Sequence, residues 1–180
     1  VDWRIRCKET LTDSVLDRFM FLENLGWKGE GHTSILSNNA DKSFFLEMIK
    51  NFGKSGRAFV TELTLNERPI SSTVNFVSGG AGFAFKIGWD PLYAKYSPGI
   101  LNEASWLESN DPTICDLNFI DSGSSDDTSY LSSLWNQKRA MCSGVYAITA
   151  QGKLALPFVG FAAKIKNYLR SRKKQQKAHL

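Results

Sequence analysis

Lys86-Ile87-Gly88-Trp89-Asp90-Pro91-Leu92-Tyr93-Ala94-Lys95-Tyr96-Ser97-Pro98-Gly99 is the stretch at which the chain changes its hydrophobic period. Up to it, Phe83, Phe85, Ile87 and Trp89 recur at every second residue, the period of a strand. Beyond it, Ile100, Leu101, Ala104 and Leu107 recur at helical spacing. The residues from Asp90 to Pro98 read as a loop between the two. Pro98 suits a first helical turn, where the N–H it lacks has no intrahelical partner. Gly99 lets another group approach the backbone closely. A helix start of this kind offers unpaired N–H groups and a partial positive charge, enough to hold a pyrophosphate.

Working outward, two more strands precede this one. Phe59, Thr61, Leu63 and Leu65 alternate with Val60, Glu62 and Thr64, and Ile70, Ser72, Val74 and Phe76 follow after the turn Asn66-Glu67-Arg68-Pro69. With the turn Ser78-Gly79-Gly80, this predicts an antiparallel meander of three strands. Before it stand two helices. The first, capped by Thr12 or Asp13, carries Leu16, Phe19, Met20 and Leu22 and ends at Gly26. Gly29-Glu30-Gly31-His32 reads as a loop. The second helix, with Asp41 as cap, carries Phe44, Phe45, Met48, Ile49 and Phe52.

After the meander and its helix, Ile114 to Ile120 predicts a buried strand and Asp121 to Thr128 a polar loop. Tyr130 to Trp135 reads as a short helix and Met141 to Ala150 as a further strand. A final helix carries Phe158, Phe161, Ala162, Ile165, Tyr168 and Leu169, with Pro157 near its start. Glu62, on a strand beside Thr61 and Thr64, reads as a solvated residue. The pattern as a whole is α+β (α/β with a mixed sheet), one domain over residues 1–180, with a basic amphipathic helix and tail over 154–180.

The 180 residues fit one domain, with apolar and charged fractions of 42% and 22% that allow a real core. No run approaches the roughly 18 apolar residues needed to cross a bilayer. The start at Val1-Asp2-Trp3-Arg4 has no signal-peptide pattern and reads as cut from a longer chain, of which this is the C-terminal half. Cys7, Cys115 and Cys142 have no ligand-like spacing and read as reduced, mostly buried thiols, which with the missing signal places the chain in the cytoplasm. Residues 1–127 carry a net charge of −6 and residues 128–180 a net +10. Lys164, Lys166, Arg170, Arg172, Lys173, Lys174 and Lys177 lie in that basic end, next to the apolar stripe of Phe158, Phe161, Ile165 and Leu169. Weak contact with an anionic membrane surface is expected of it, and nucleic-acid binding is not.

Three segments resemble the cellulose-biosynthesis-associated acetyltransferase family, a branch of the GNAT superfamily related to the Fem-type transferases. The first is Phe21-Leu22-Glu23-Asn24-Leu25-Gly26-Trp27-Lys28-Gly29; the second is the Lys86–Gly99 run; the third is Asp121-Ser122 with Leu134-Trp135 and Arg139. The resemblance implies a GNAT-like acyl-CoA N-acyltransferase fold with acetyl-CoA or another acyl-CoA as co-substrate. The acceptor would be an amine or hydroxyl of a sugar or a polysaccharide-related molecule. Ser97, Pro98 and Gly99 would hold the acyl donor, Asp121 would act as base or orient the acceptor, and Lys86, Asp90, Tyr93 and Tyr96 would line the substrate site. Glu62 is the other candidate base. The bland reading of Lys86 is a solvated strand residue paired with a nearby aspartate.

Such enzymes usually carry an acyl-CoA loop of spaced glycines, where this chain has only Ser97-Pro98-Gly99. A degenerate, non-catalytic binding or scaffold half, completed by a second GNAT-like half, is therefore an alternative. Aminoacyl-tRNA-dependent transfer, as in the Fem enzymes, is another. His32 and His179 form no metal-binding pattern with the cysteines, so no metal is expected.

Overall fold

The computed structural model describes residues 3–9, 11–124, 134, 135, 137–142 and 144–160. The chain divides into two compact units, residues 1–137 and 138–180.

The first unit is built on a five-stranded sheet in the order β1-β2-β3-β4-β5, with β1 Trp3–Glu9, β2 Ala58–Leu65, β3 Arg68–Ser78, β4 Ala81–Trp89 and β5 Phe119–Asp121. The first four strands pair antiparallel and β5 pairs parallel with β4. The meander read from the sequence forms β2 to β4. The turn between β2 and β3 is tight, with Asn66 and Glu67 both at positive φ, and Gly79 and Gly80 supply the same conformation between β3 and β4.

Helices cover both faces. α1 (Asp13–Asn24) is capped by Thr12, whose hydroxyl accepts from the Val15 N–H at 3.3 Å. It buries Leu16, Phe19 and Met20 against Val60 and Val74 of the sheet. α2 (Trp27–Glu30) follows Gly26, and a 3-10 turn covers Ile35–Ser37. α3 (Asn39–Lys54) adds Phe45 and Ile49 to the same core, with Phe45 stacked 5.5 Å from Phe19. On the opposite face lies α4 (Pro98–Leu107). Asn102 of α4 is fully buried and donates to the Thr61 carbonyl at 3.1 Å and to Thr73 Oγ1 at 3.0 Å. α4 therefore docks through hydrogen bonds onto the polar side chains of β2 and β3, where α1 docks through apolar contact.

Several local expectations are corrected. Asn38, not Asp41, caps α3: its Oδ1 accepts from the Ala40 N–H at 2.8 Å, which starts the helix three residues earlier. Gly29 and Glu30 belong to α2 and are not loop. The Asp90–Pro98 segment is a 3-10 helix over Pro91–Tyr96, because the Asp90 carboxylate accepts from the Leu92 N–H and Pro91 presets the first turn. The strand expected over Ile114–Ile120 is instead a short helix, α5 (Pro112–Cys115), followed by the three-residue β5. Pro112 again starts the turn, and the Asp111 carbonyl accepts from both Ile114 and Cys115. Cys115 and Cys142 are free and exposed rather than buried.

In the second unit, the expected strand at Met141–Ala150 does not form among the described residues, and 150–160 are helical (α6). Thr149 sets this start: its hydroxyl accepts from the Gly152 N–H at 3.0 Å and its carbonyl from Lys153. The Ala- and Leu-rich stretch after it favours helix. Pro157 therefore lies inside the helix and not near its start. The expected helix at Tyr130–Trp135 falls mostly, and the basic tail from Phe161 entirely, outside the described residues.

Candidate active site

β4 and β5 pair over only three positions, Ala81 with Phe119, Gly82 with Ile120 and Phe83 with Asp121. β4 then runs on to Trp89 without β5 beside it. The chain leaves at Asp121, whose Oδ1 accepts from the Gly123 N–H at 2.8 Å; Gly123 holds φ +65 and lies so close to the Ala84 carbonyl that a Cβ would be 2.8 Å from it. The register between β3 and β4 also shifts between Val74 and Asn75, which leaves Phe85 as an extra residue. Among the described residues, the edge of β4 beyond Phe83 has no strand paired to it on the β5 side.

Backbone polar groups lie along that edge. Asp90 N–H bonds to the Ile70 carbonyl, and Ser72 faces Gly88 in register. The alternation of a strand then turns the N–H and C=O of Ile87 and Trp89 away from β3, toward the open edge.

Two pockets flank this end of β4, one on each face. The first, of ≈ 150 Å³, lies against the start of α4 and is lined by Ile87, Trp89, Ser97, Pro98, Gly99 and Glu103 among others. Ser97 is held in the left-handed conformation (φ 51, ψ 51), and its carbonyl accepts the first helical bond, from Leu101 at 3.1 Å. The N–H groups of Gly99 and Ile100 precede that bond and lie in the first turn. A Cβ on Gly99 would sit 3.1 Å from Ile87 Cδ1, so the glycine lets helix and strand approach. Glu103 is buried and accepts from Trp135 Nε1 at 2.8 Å. Burial raises its pKa above the ordinary carboxylate value, and the Trp135 hydrogen bond opposes that rise.

The second pocket, of ≈ 140 Å³, lies between the end of α1, α2 and the other face of β4, and Glu23, Trp27, Lys28, Gly88, Trp89 and Pro91 contribute to it. Gly88 is the closest point of packing: a Cβ there would fall 2.3 Å from the Glu23 N atom. Glu23 is buried, its Oε2 accepts from the Ile35 N–H at 2.9 Å, and its Oε1 faces Lys86 at 3.2 Å and Lys28 at 3.6 Å. Lys28 Nζ donates to the Ile87 carbonyl at 2.7 Å. Its pKa lies below the ordinary 10.5, first because it is buried and further because Lys86 is near, with Glu23 opposing.

The expected site residues are distributed as follows. Ser97, Pro98 and Gly99 line the first pocket. Asp121 ends β5, opposite Phe83, where the unpaired edge of β4 begins. Lys86 pairs with Glu23, not with an aspartate, and Asp90 pairs with Arg68 at 3.0 Å while capping the 3-10 helix. Tyr93 is half-buried, and Tyr96 is exposed with the Lys95 ammonium 4.8 Å from its ring centroid. None of Lys86, Asp90, Tyr93 and Tyr96 lines either pocket. Glu62 is fully buried rather than solvated, with both carboxylate oxygens on Arg18 at 3.1 and 2.9 Å. Glu103 and the Glu23–Lys28 pair were not singled out by sequence reasoning. The available signal was a lone carboxylate at the centre of an apolar helix, and a lysine directly after Gly26-Trp27. Among the described residues no cluster of side chains could hold a metal ion, and no helix is long and apolar enough to cross a membrane.

A family model described as an acetyltransferase (GNAT) domain matches residues 1–109. No curated protein matches the sequence significantly. Several solved structures share the fold. A Trypanosoma brucei acetyltransferase superposes with a TM-score of 0.52 at 14% identity, covering 81% of this chain and 99% of that one. AAC(6')-Iy, solved with a bisubstrate analogue of CoA and acetylneamine, gives 0.55 at 11%, covering 83% and 100%. An aminoglycoside acetyltransferase from an uncultured soil metagenomic sample, solved with sisomicin, gives 0.56 at 8%, covering 82% and 97%.

Proposed function

Since this chain belongs to the GNAT acetyltransferase domain family, we propose that it moves an acetyl group from acetyl-CoA to an amine or hydroxyl of a small polar acceptor, a sugar or a polysaccharide-related molecule. The observation that carries this reading is the edge of β4 left unpaired beyond Phe83 among the described residues, with a pocket at the start of α4 on one face and a second pocket on the other. A donor entering from α4 and an acceptor entering from α1 and α2 would meet at the same edge of β4.

In this reading the donor's pyrophosphate sits at the N–H groups of Gly99 and Ile100, where the helix dipole favours negative charge. Ser97 and Pro98 shape the entrance. The thioester lies along the open edge of β4, whose Ile87 and Trp89 N–H groups are available to its carbonyl oxygen as charge develops there. The acceptor nitrogen or oxygen attacks the carbonyl carbon, the C–S bond breaks, and the CoA thiolate leaves and takes a proton. Asp121, where the unpaired edge of β4 begins, accepts the acceptor's proton or orients it. Lys86, Asp90, Tyr93 and Tyr96 remain proposed for substrate contact outside the two pockets.

Calorimetric titration with acetyl-CoA tests the reading. Binding tighter than about 1 mM is expected, and its absence from both this chain and a longer form would count heavily against it. One observation favours a second reading, a non-catalytic GNAT-like half that binds or scaffolds. The segment before α4 is a 3-10 helix ending in Ser97-Pro98-Gly99, not a glycine-spaced loop. Turnover of acetyl-CoA by this chain alone would eliminate that alternative.

A further inference from the structure

The pocket on the α1–α2 side has a charge imbalance built into it. Glu23 has a fully buried side chain, and both its oxygens are committed, one to the Ile35 N–H and the other to two ammonium groups. One negative charge thus faces two positive ones. The Lys86 ammonium contacts Glu23 at 3.2 Å from outside the pocket lining. Lys28 forms part of that lining, and its contact with Glu23, at 3.6 Å, is longer than a hydrogen bond. An ammonium has three donors, and Lys28 spends one on the Ile87 carbonyl. Donor capacity and positive charge are therefore left at the pocket wall. Burial, and less strongly the repulsion of Lys86, disfavour the charged form of Lys28, while Glu23 favours it by more than Lys86 opposes it. A negative group in the pocket would relieve the second of these effects. Beside it, the Trp27 ring is 68% exposed, a large aromatic face left in solvent at the rim.

We propose that this pocket takes the acceptor by an anionic group, a phosphate or a carboxylate, held by the Lys28 ammonium next to the Trp27 ring. The inference rests on the acetyltransferase reading, which makes this side of β4 the acceptor side. It deepens that reading by setting the acceptor's charge. A polycationic acceptor such as sisomicin, bound by one structural neighbour, would add to the positive charge instead of balancing it.

Three amino sugars with the same free amine separate the cases: glucosamine, glucosamine 6-phosphate and muramic acid, the last bearing a carboxylate. Calorimetry on the full chain, with sisomicin as a fourth probe and acetyl-CoA as a separate titration, is expected to show at least one anionic sugar binding about tenfold tighter than glucosamine. Whichever of the two binds identifies the anionic group. Lys28→Met should remove the preference and Lys28→Arg should keep much of it. Lys86→Met, which removes a positive charge outside the pocket lining, should weaken the preference with the lining intact. Equal affinity for the three sugars, or tighter binding of sisomicin, overturns the proposal. If the anionic preference holds but acetyl-CoA does not bind, the pocket assignment stands and the acetyltransferase reading fails. If acetyl-CoA binds without any anionic preference, the reverse is true.

Discussion

The indole of Trp135 donates to Glu103 Oε2 at 2.8 Å, so a residue beyond β5 holds the one carboxylate that lines the pocket at the start of α4 among the described residues. The Leu134-Trp135 segment thereby gains a physical role, since it fixes the orientation of a buried acid 32 residues back in the chain. Burial keeps the Glu103 pKa above its ordinary 4.5, so the folded state favours the protonated form.

A pH dependence of stability follows. The stabilising contribution of the protonated Glu103 is fully present below the unfolded-state pKa and is lost as pH rises through the folded-state value. Glu103→Gln cannot ionise, so it should gain stability relative to wild type as pH rises above the carboxylate range. Trp135→Phe removes the bond that opposes the rise, so the loss in that variant should move to higher pH. Urea unfolding at about pH 4 and about pH 8 checks both. A Gln variant whose stability tracks wild type at every pH would show that Glu103 is not titrating against burial.

Gly88→Ala should damage the fold. The added Cβ would meet the Glu23 N atom at 2.3 Å and the Leu22 carbonyl carbon at 2.6 Å, and both are backbone atoms that cannot swing aside. The end of α1 would have to lift from β4. A loss of about 3 kcal/mol is expected, reduced by the ~0.4–1 kcal/mol that replacing glycine gains from the unfolded state. Thermal unfolding reads it directly. An unchanged midpoint would mean that α1 does not need its contact with β4.

Which parts of this were legible from the sequence depends on how local the cause is. The β2–β4 meander is written in a period of two and its turns in glycine and asparagine, so each strand is found from its own residues. The helix start at Pro98-Gly99 is equally local. Glu62 is not: it alternates with Thr61 and Leu63 as a solvated residue would, and its burial depends on Arg18, 44 residues earlier. The partner of Lys86 is 63 residues away, so the aspartate nearer in sequence was the wrong candidate. At Met141–Ala150 apolar and β-branched residues suggest a strand, but the cap at Thr149 and the helix formers after it prevail. The helix start at Ser97-Pro98-Gly99 was legible because it carries its own chemistry, whereas the charge cluster at Glu23 exists only once α1 and β4 are packed.

Removing the two partners of the Arg18–Glu62 pair should cost unequal amounts. The Arg18 side chain is 36% exposed and the Glu62 side chain 0% exposed. Glu62→Gln leaves a guanidinium that can turn to water, so a cost of about 1–2 kcal/mol is expected. Arg18→Met leaves a buried carboxylate without its bidentate partner and should cost roughly 3–5 kcal/mol, toward the lower end if water reaches it. Urea denaturation of both single variants and the double variant gives the coupling. Equal losses would show that Glu62 is hydrated in solution.

Enlarging Gly99 should separate donor binding from folding. An alanine Cβ would lie 3.1 Å from Ile87 Cδ1 and 3.4 Å from Trp89 Cδ1, contacts with side-chain atoms that can shift by a few tenths of an ångström. Gly99→Ala should therefore fold normally and bind acetyl-CoA only a few-fold more weakly. Gly99→Val places further carbons in the pocket proposed for the donor, next to the helix N–H groups proposed to hold pyrophosphate. It should weaken acetyl-CoA binding by at least about tenfold, or ~1.4 kcal/mol. Leu92→Ala is the control, because Leu92 is 80% exposed and lines neither pocket. Titration calorimetry and thermal unfolding on the same preparations distinguish the outcomes. A valine variant that melts like wild type and still binds acetyl-CoA with wild-type affinity would remove the donor from the α4 start.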